Sequence, residues 1–161
     1  NAHCVRLAQG EYAAPRLKAL LADKATLKIF HFARFDVAFL RKYLGVETSP
    51  VYCTKIASRL VRTFTDRHGL KDLVRDLTGK ELSKEQQSSD WGAAELTQAQ
   101  LAYAASDVLY LHRLCDALSA ASGALAPRAL APRRCVPCLI SPVSCCQRRA
   151  RKQQQRQDGH E

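Results

Sequence analysis

Tyr103 and Asp107 stand four residues apart in the run Leu101-Ala102-Tyr103-Ala104-Ala105-Ser106-Asp107-Val108-Leu109-Tyr110-Leu111. On a helix, four residues rise about 6 Å and return both side chains to one face. Leu101, Ala104, Ala105, Val108 and Leu111 then form an apolar stripe with the phenol and the carboxylate at its edge. An inward carboxylate is costly to bury unless it is paired or binds a metal ion. The candidate chemistry is therefore cation binding beside a phenol. The plain alternative is a Tyr and an Asp on a solvated helix flank.

Neighbouring segments bear on that choice. Ser88-Ser89-Asp90-Trp91 precedes Leu96-Thr97-Gln98-Ala99-Gln100, and Thr97 and Gln100 have the spacing of a capping box, which starts the helix just after Thr97. Earlier, Lys28-Ile29-Phe30-His31-Phe32-Ala33-Arg34-Phe35-Asp36-Val37-Ala38-Phe39-Leu40 reads as a buried strand running into a helix. Asp36 falls at that helix start, with Phe39 and Leu40 following at i+3 and i+4. Together these segments resemble the exonuclease domain of the ribonuclease D family, ribonuclease H-like 3′–5′ exonucleases of the DEDDy type, which carry three Asp, one Glu and a catalytic Tyr. The resemblance covers roughly residues 1 to 120.

That resemblance implies phosphodiester cleavage with two divalent metal ions, Mg2+ or Mn2+, held about 4 Å apart by four carboxylates. One ion lowers the pKa of an attacking water and the other stabilises the leaving 3′ oxygen. Hard cations prefer oxygen ligands, which is why the ligands are acidic side chains. By the same resemblance Asp36 matches the acid of the second motif, Asp107 the acid of the third, and Tyr103 the tyrosine that orients the nucleophilic water. With an ordinary pKa near 10, a tyrosine is a poor base, so orientation is the implied role. His31 and Phe32 stand where many relatives carry an Asn.

The first family motif, Asp-x-Glu on the opening strand, occurs nowhere in the chain. Before Asp36 the only acids are Glu11, in an expected turn, and Asp23, at the end of an expected helix. The chain reads as beginning at the third strand, Ala2 to Leu7, with the first strands missing. An N-terminally truncated domain is the expectation, and the chain as given is expected to be impaired as a nuclease.

At 161 residues and 47% hydrophobic, the chain holds one core. No run of about 18 apolar residues predicts a membrane span, and no basic-then-apolar start predicts a secretory signal. Cys4, Cys53 and Cys115 fall in apolar segments and read as buried free thiols, so a reducing, cytoplasmic setting is expected. Residues 1–123 hold 17 Lys and Arg against 13 Asp and Glu, while residues 124–161 hold 8 against 2, so most of the net +10 lies in the last quarter. In the body Arg34, Lys55, Arg59, Arg62, Arg67 and Lys71 are candidates for phosphate contact, with solvated helix faces as the equally open reading. His68 is a candidate for a phosphate or metal contact, against plain loop surface. Trp91 could stack on a base, although a packing role is favoured. Asp66 reads as a helix N-cap.

The elements needed to position these groups follow from pattern. Strands are expected near 2–8, 27–33 and 51–53, and helices at 15–22, 36–44, 55–61, 70–78 and 98–119. Thr54 would cap the third of these helices. Gly45 and Gly79 stop the second and fourth. Leu70, Leu73, Val74 and Leu77 share one face of the fourth. The class is α/β, and the resemblance implies a ribonuclease H-like mixed sheet flanked by helices. Residues 1–122 form the partial exonuclease domain. Residues 123–161 carry an Ala-Leu-Ala-Pro-Arg repeat and a Gln- and Arg-rich run, and read as a basic, low-complexity, disordered tail. Cys135-x2-Cys138 with Cys145-Cys146 lacks the spacing of a zinc site. The leading expectation is a 3′–5′ exonuclease acting on RNA, with single-stranded DNA a second candidate. The alternatives are a non-catalytic nucleic-acid-binding module and a helical interaction module.

Overall fold

The computed structural model describes residues 2–7, 10, 12–83, 85–93 and 95–122, together with the backbone of Leu139–Ile140. The element order is β1 (His3–Cys4), α1 (Pro15–Ala22), β2 (Lys28–Phe30), α2 (Arg34–Phe39) continued by a π-helical turn (Leu40–Leu44), β3 (Val51–Cys53), α3 (Thr54–Val61), α4 (Leu70–Thr78), α5 (Gln98–Leu109), α6 (Leu111–Ala121) and β4 (Leu139–Ile140). The expected α/β class is observed, with the strands in two parallel pairs, β1 with β4 and β2 with β3. Parallel neighbours need a crossover, and α2 with its π turn supplies it between β2 and β3. The register sets Phe30 beside Cys53, so the chain leaving β2 toward Asp36 runs next to the start of α3. The readings of the tail as disordered, of the late cysteines and of Glu11 lie outside the described residues, apart from the backbone of β4.

Local signals account for most boundaries. Pro15 opens α1, where its missing N–H is no loss. The π turn stops at Gly45, φ 63°, whose N–H bonds Arg41 O at 3.1 Å, and α4 stops at Gly79, φ 68°, whose N–H bonds Arg75 O at 3.0 Å. Both are left-handed caps that a Cβ disfavours. The core lies between β2, α4 and α6, where Leu27, Ile29, Leu73, Val74, Leu114 and Cys115 are buried together. Along α6, Leu111, Leu114, Cys115 and Leu118 recur at helical spacing and are all buried. A smaller cluster joins Leu21 of α1 to Leu40, Leu44 and Val46. Between the two, the buried Lys28 ammonium donates to the carbonyls of Asp23 (2.6 Å), Thr26 (2.8 Å) and Ser49 (2.6 Å). Burial lowers its pKa, opposed by the charge of Asp23.

Several expectations need correction. The single helix over 98–119 is two helices that meet at Tyr110 (φ −97°, ψ −8°), and the apolar stripe of α6 packs against β2 and α4. The first strand is only His3–Cys4, and Cys4 is exposed. Cys53 is half-buried and Cys115 buried, all three being free thiols. Leu77 is 37% exposed, at the margin of the stripe that buries Leu73 and Val74 completely. Thr54 does not cap α3. The N-cap position is Cys53, and the fully buried Thr54 hydroxyl turns to Phe30 O (3.2 Å) and His31 Nδ1 (2.9 Å) instead. Asp66 does not cap α4, whose N-cap is Gly69 without a side-chain bond. No helix among the described residues is long and apolar enough to cross a membrane.

Candidate active site

The capping box at the start of α5 is present as read: Gln100 N donates to Thr97 Oγ1 at 3.2 Å, and Gln100 Oε1 accepts from Thr97 N at 2.8 Å. Two orphan donors at the helix start are thereby satisfied, and the helix proceeds through Tyr103 to Asp107 with both residues one turn apart and half-buried. The Tyr103 ring lies 6.0 Å from Trp91, tilted by 50°. Trp91 Nε1 donates to Gln86 O at 3.2 Å. Its indole packs within the fold, half-buried.

Asp36 is the third residue of α2, in the first turn, where a carboxylate complements the helix dipole. The residues leading into it are unusual. Phe32 has φ 67°, a left-handed conformation that Asn tolerates and a bulky aromatic rarely adopts. Its ring faces the Lys55 ammonium at 4.1 Å and meets Phe35 edge-on at 4.9 Å. Phe35 is 45% exposed, with the Arg34 guanidinium 5.8 Å from its centroid. The β2–β3 pairing thus gathers Lys55 with the Phe32–Phe35 segment just ahead of Asp36. Behind them, His31 bonds Thr54. The Thr54 hydroxyl has one proton, and giving it to Phe30 O leaves His31 Nδ1–H as the donor between them. Burial, then the charge of Lys55, brings the His31 pKa down to about 4.

The other basic candidates have surroundings of their own. Arg62 is buried and its guanidinium pairs with Asp76 at 2.6 Å across α3 and α4, so its charge is spent inside the fold. Bonds from Arg62 and then Arg75 hold the Asp76 carboxyl below its ordinary pKa. His68 is not plain loop surface: it is 9% exposed, with Nδ1 2.8 Å from the buried Ser58 Oγ. Arg67 is exposed, and its backbone bonds Thr65 and Arg62. Arg59 is exposed on α3, and Lys71 is half-buried on α4.

Two carboxylates suit a hard divalent cation in kind and fall short in number. Among the described residues, no group of three or more His, Cys, Asp and Glu side chains could hold a metal ion. Sequence reasoning missed what Gln100 does beyond its cap: its Nε2 also donates to Ser89 Oγ (3.1 Å) and Asp90 O (2.9 Å). No spacing rule signals that bond.

Comparison with known proteins places these features. The family model described as 3′–5′ exonuclease matches residues 1–121. Ribonuclease D of Acidiphilium cryptum is 38% identical over 113 residues, covering 70% of this chain and 28% of its own length. The chain therefore spans little more than a quarter of that relative. Among solved structures, Brucella melitensis NrnC bound to pGG is 55% identical with a TM-score of 0.69, covering 71% of this chain and 55% of that one. The same protein with bound Mg2+ is 51% identical with a TM-score of 0.66, covering 73% and 57%. Escherichia coli RNase D, an exoribonuclease involved in structured RNA processing, is 31% identical with a TM-score of 0.60, covering 72% and 31%. With three-quarters of its length under one family model and relatives of the same kind on both comparisons, the chain belongs to the 3′–5′ exonuclease family, beside ribonuclease D.

Proposed function

We propose that this chain is part of an exonuclease that removes nucleotides from the 3′ end of RNA, with Asp36 and Asp107 as ligands of a divalent cation, Mg2+ or Mn2+, and Tyr103 as the group that orients the attacking water. The observation that carries the reading is the Tyr103–Asp107 pair, one turn apart behind an intact capping box, in a chain of this family. RNA processing in Escherichia coli RNase D, and pGG and Mg2+ in Brucella melitensis NrnC, support the choice of substrate and ion. Arg34, Lys55 and Arg59 supply positive charge for a phosphate backbone. A cytoplasmic setting accords with the free thiols of Cys4, Cys53 and Cys115 among the described residues.

The reading includes a limit. Two carboxylates without an Asp-x-Glu pair bind a hard ion weakly, so the 161-residue chain is an impaired catalyst. The test has two parts. Mn2+ binding to the purified chain, followed by electron paramagnetic resonance, should weaken in both Asp36→Asn and Asp107→Asn. Binding indifferent to either substitution means the two acids share no ion, and a nucleic-acid-binding module without cleavage then explains the basic groups better. A 5′-labelled single-stranded RNA incubated with the chain and Mn2+ should stay at full length. Trimming that disappears in Asp107→Ala would overturn the impairment and uphold the nuclease.

A further inference from the structure

The segment 86–93 crosses the start of α5 and is fastened there. Ser89 N (3.2 Å), Ser89 Oγ (2.8 Å) and Trp91 Nε1 (3.2 Å) all donate to the carbonyl of Gln86. Gly92 N bonds Asp90 Oδ1 at 3.0 Å, and Arg6 Nη2 reaches Ala93 O at 3.0 Å. This strap meets α5 through the polar side chain of Gln100, which is 5% exposed. The Gln100 carboxamide is used at both ends. Its oxygen faces Thr97 N–H and closes the capping box, and its nitrogen faces the Ser89 hydroxyl and the Asp90 carbonyl. The partners fix which end is which, since a carbonyl needs a donor and a backbone N–H an acceptor. One residue further, the strap lays Trp91 against Tyr103.

We propose that Gln100 is a positioning residue for Tyr103. It clamps Ser89 and Asp90 to α5 so that Trp91 holds the phenol in one orientation. The consequence for water steering rests on the role assigned to Tyr103 above; the clamp itself does not. The Ser-Ser-Asp-Trp motif thereby gains a physical task that catalysis alone does not give it. The indole beside Tyr103 narrows the rotamers its ring can adopt, and a phenol that must aim its oxygen at a water is useless when it exchanges them.

Gln100→Glu separates the two uses of the side chain. A carboxylate still accepts from Thr97 N–H, so the capping box survives. It cannot donate to Asp90 O, so the strap is released. The readout is the 19F spectrum of the full 161-residue chain grown with 3-fluorotyrosine, whose five tyrosine signals include one identified by its loss in Tyr103→Phe. Gln100→Glu is expected to retain wild-type helical circular dichroism while the Tyr103 signal alone moves and broadens. Acrylamide quenching of Trp91, the single tryptophan, should rise several-fold. Ser89→Ala removes one acceptor without touching the cap and should move the same signal less, in the same direction, which keeps the test decisive if Gln100→Glu does not fold. A Tyr103 signal unmoved in the folded variants, while Trp91→Leu shifts it, reduces Gln100 to a helix cap and overturns the clamp. That outcome leaves the Mn2+ experiment untouched, and indifferent Mn2+ binding leaves the clamp untouched.

Discussion

His31 makes the fold pH-dependent over a window set by its own surroundings. In the folded chain its pKa is about 4 against 6.5 for an ordinary histidine, chiefly because burial penalises the imidazolium. Below pH 6.5 the unfolded chain takes up a proton at this position and the folded chain does not follow until about pH 4. The unfolded state binds more protons in that interval, so stability falls as pH falls, by about 1.4 kcal/mol per pH unit. Residual solvent contact trims the total to about 2 to 3 kcal/mol between neutrality and pH 4. Above pH 6.5 the contribution is flat. The comparison variant is His31→Asn, which retains an N–H for Thr54 Oγ1 and cannot titrate. Urea unfolding followed by Trp91 fluorescence at steps from pH 7.5 to 4.5 should show the wild type losing stability faster than the variant, with most of the divergence gained between pH 6 and 4.5. Parallel curves for the two proteins, or an imidazole resonance of His31 titrating near 6.5, would refute the reasoning.

Two further outcomes are expected. Leu114 is completely buried between β2, α4 and α6, so Leu114→Ala should cost about 2–5 kcal/mol in urea unfolding, and a loss under 1 kcal/mol would mean the core closes over the cavity. Because the Asp76 carboxyl titrates below its ordinary value when folded, its ion pair with Arg62 contributes fully above the usual carboxylate range and is lost as pH falls through the depressed value. Asp76→Asn should therefore flatten the acid limb of the stability profile below about pH 4, and an unchanged limb counts against the pair.

What could be read from sequence was mostly what a few adjacent residues decide. Thr97 with Gln100, Gly45 and Gly79 each settle a helix end through bonds within one turn, Pro15 settles a fourth by its ring-fixed φ, and all four ends are where spacing placed them. The Tyr103–Asp107 pair was legible for the same reason. Readings failed where a distant partner outbid the local one. Thr54 has a good capping residue's chemistry, yet β2 lies beside it and offers Phe30 O and His31. His68 looks like loop surface until Ser58, ten residues upstream, is folded against it. Arg62 looks like a phosphate ligand until α4 presents Asp76. Tyr110 carries no helix-breaking signal, so the interruption between α5 and α6 was not legible there.

That interruption has a mechanical result. Tyr103 and Leu118 are separated by what would be, in one straight rod, about 22 Å of helix. A rod of that length swings its far end by about 2 Å for a ~5° tilt. Interrupted at Tyr110, the chain is two helices instead of one rod: Leu118 lies in α6 and Tyr103 in α5, so a shift around Leu118 does not reach the phenol through one unbroken helical ladder.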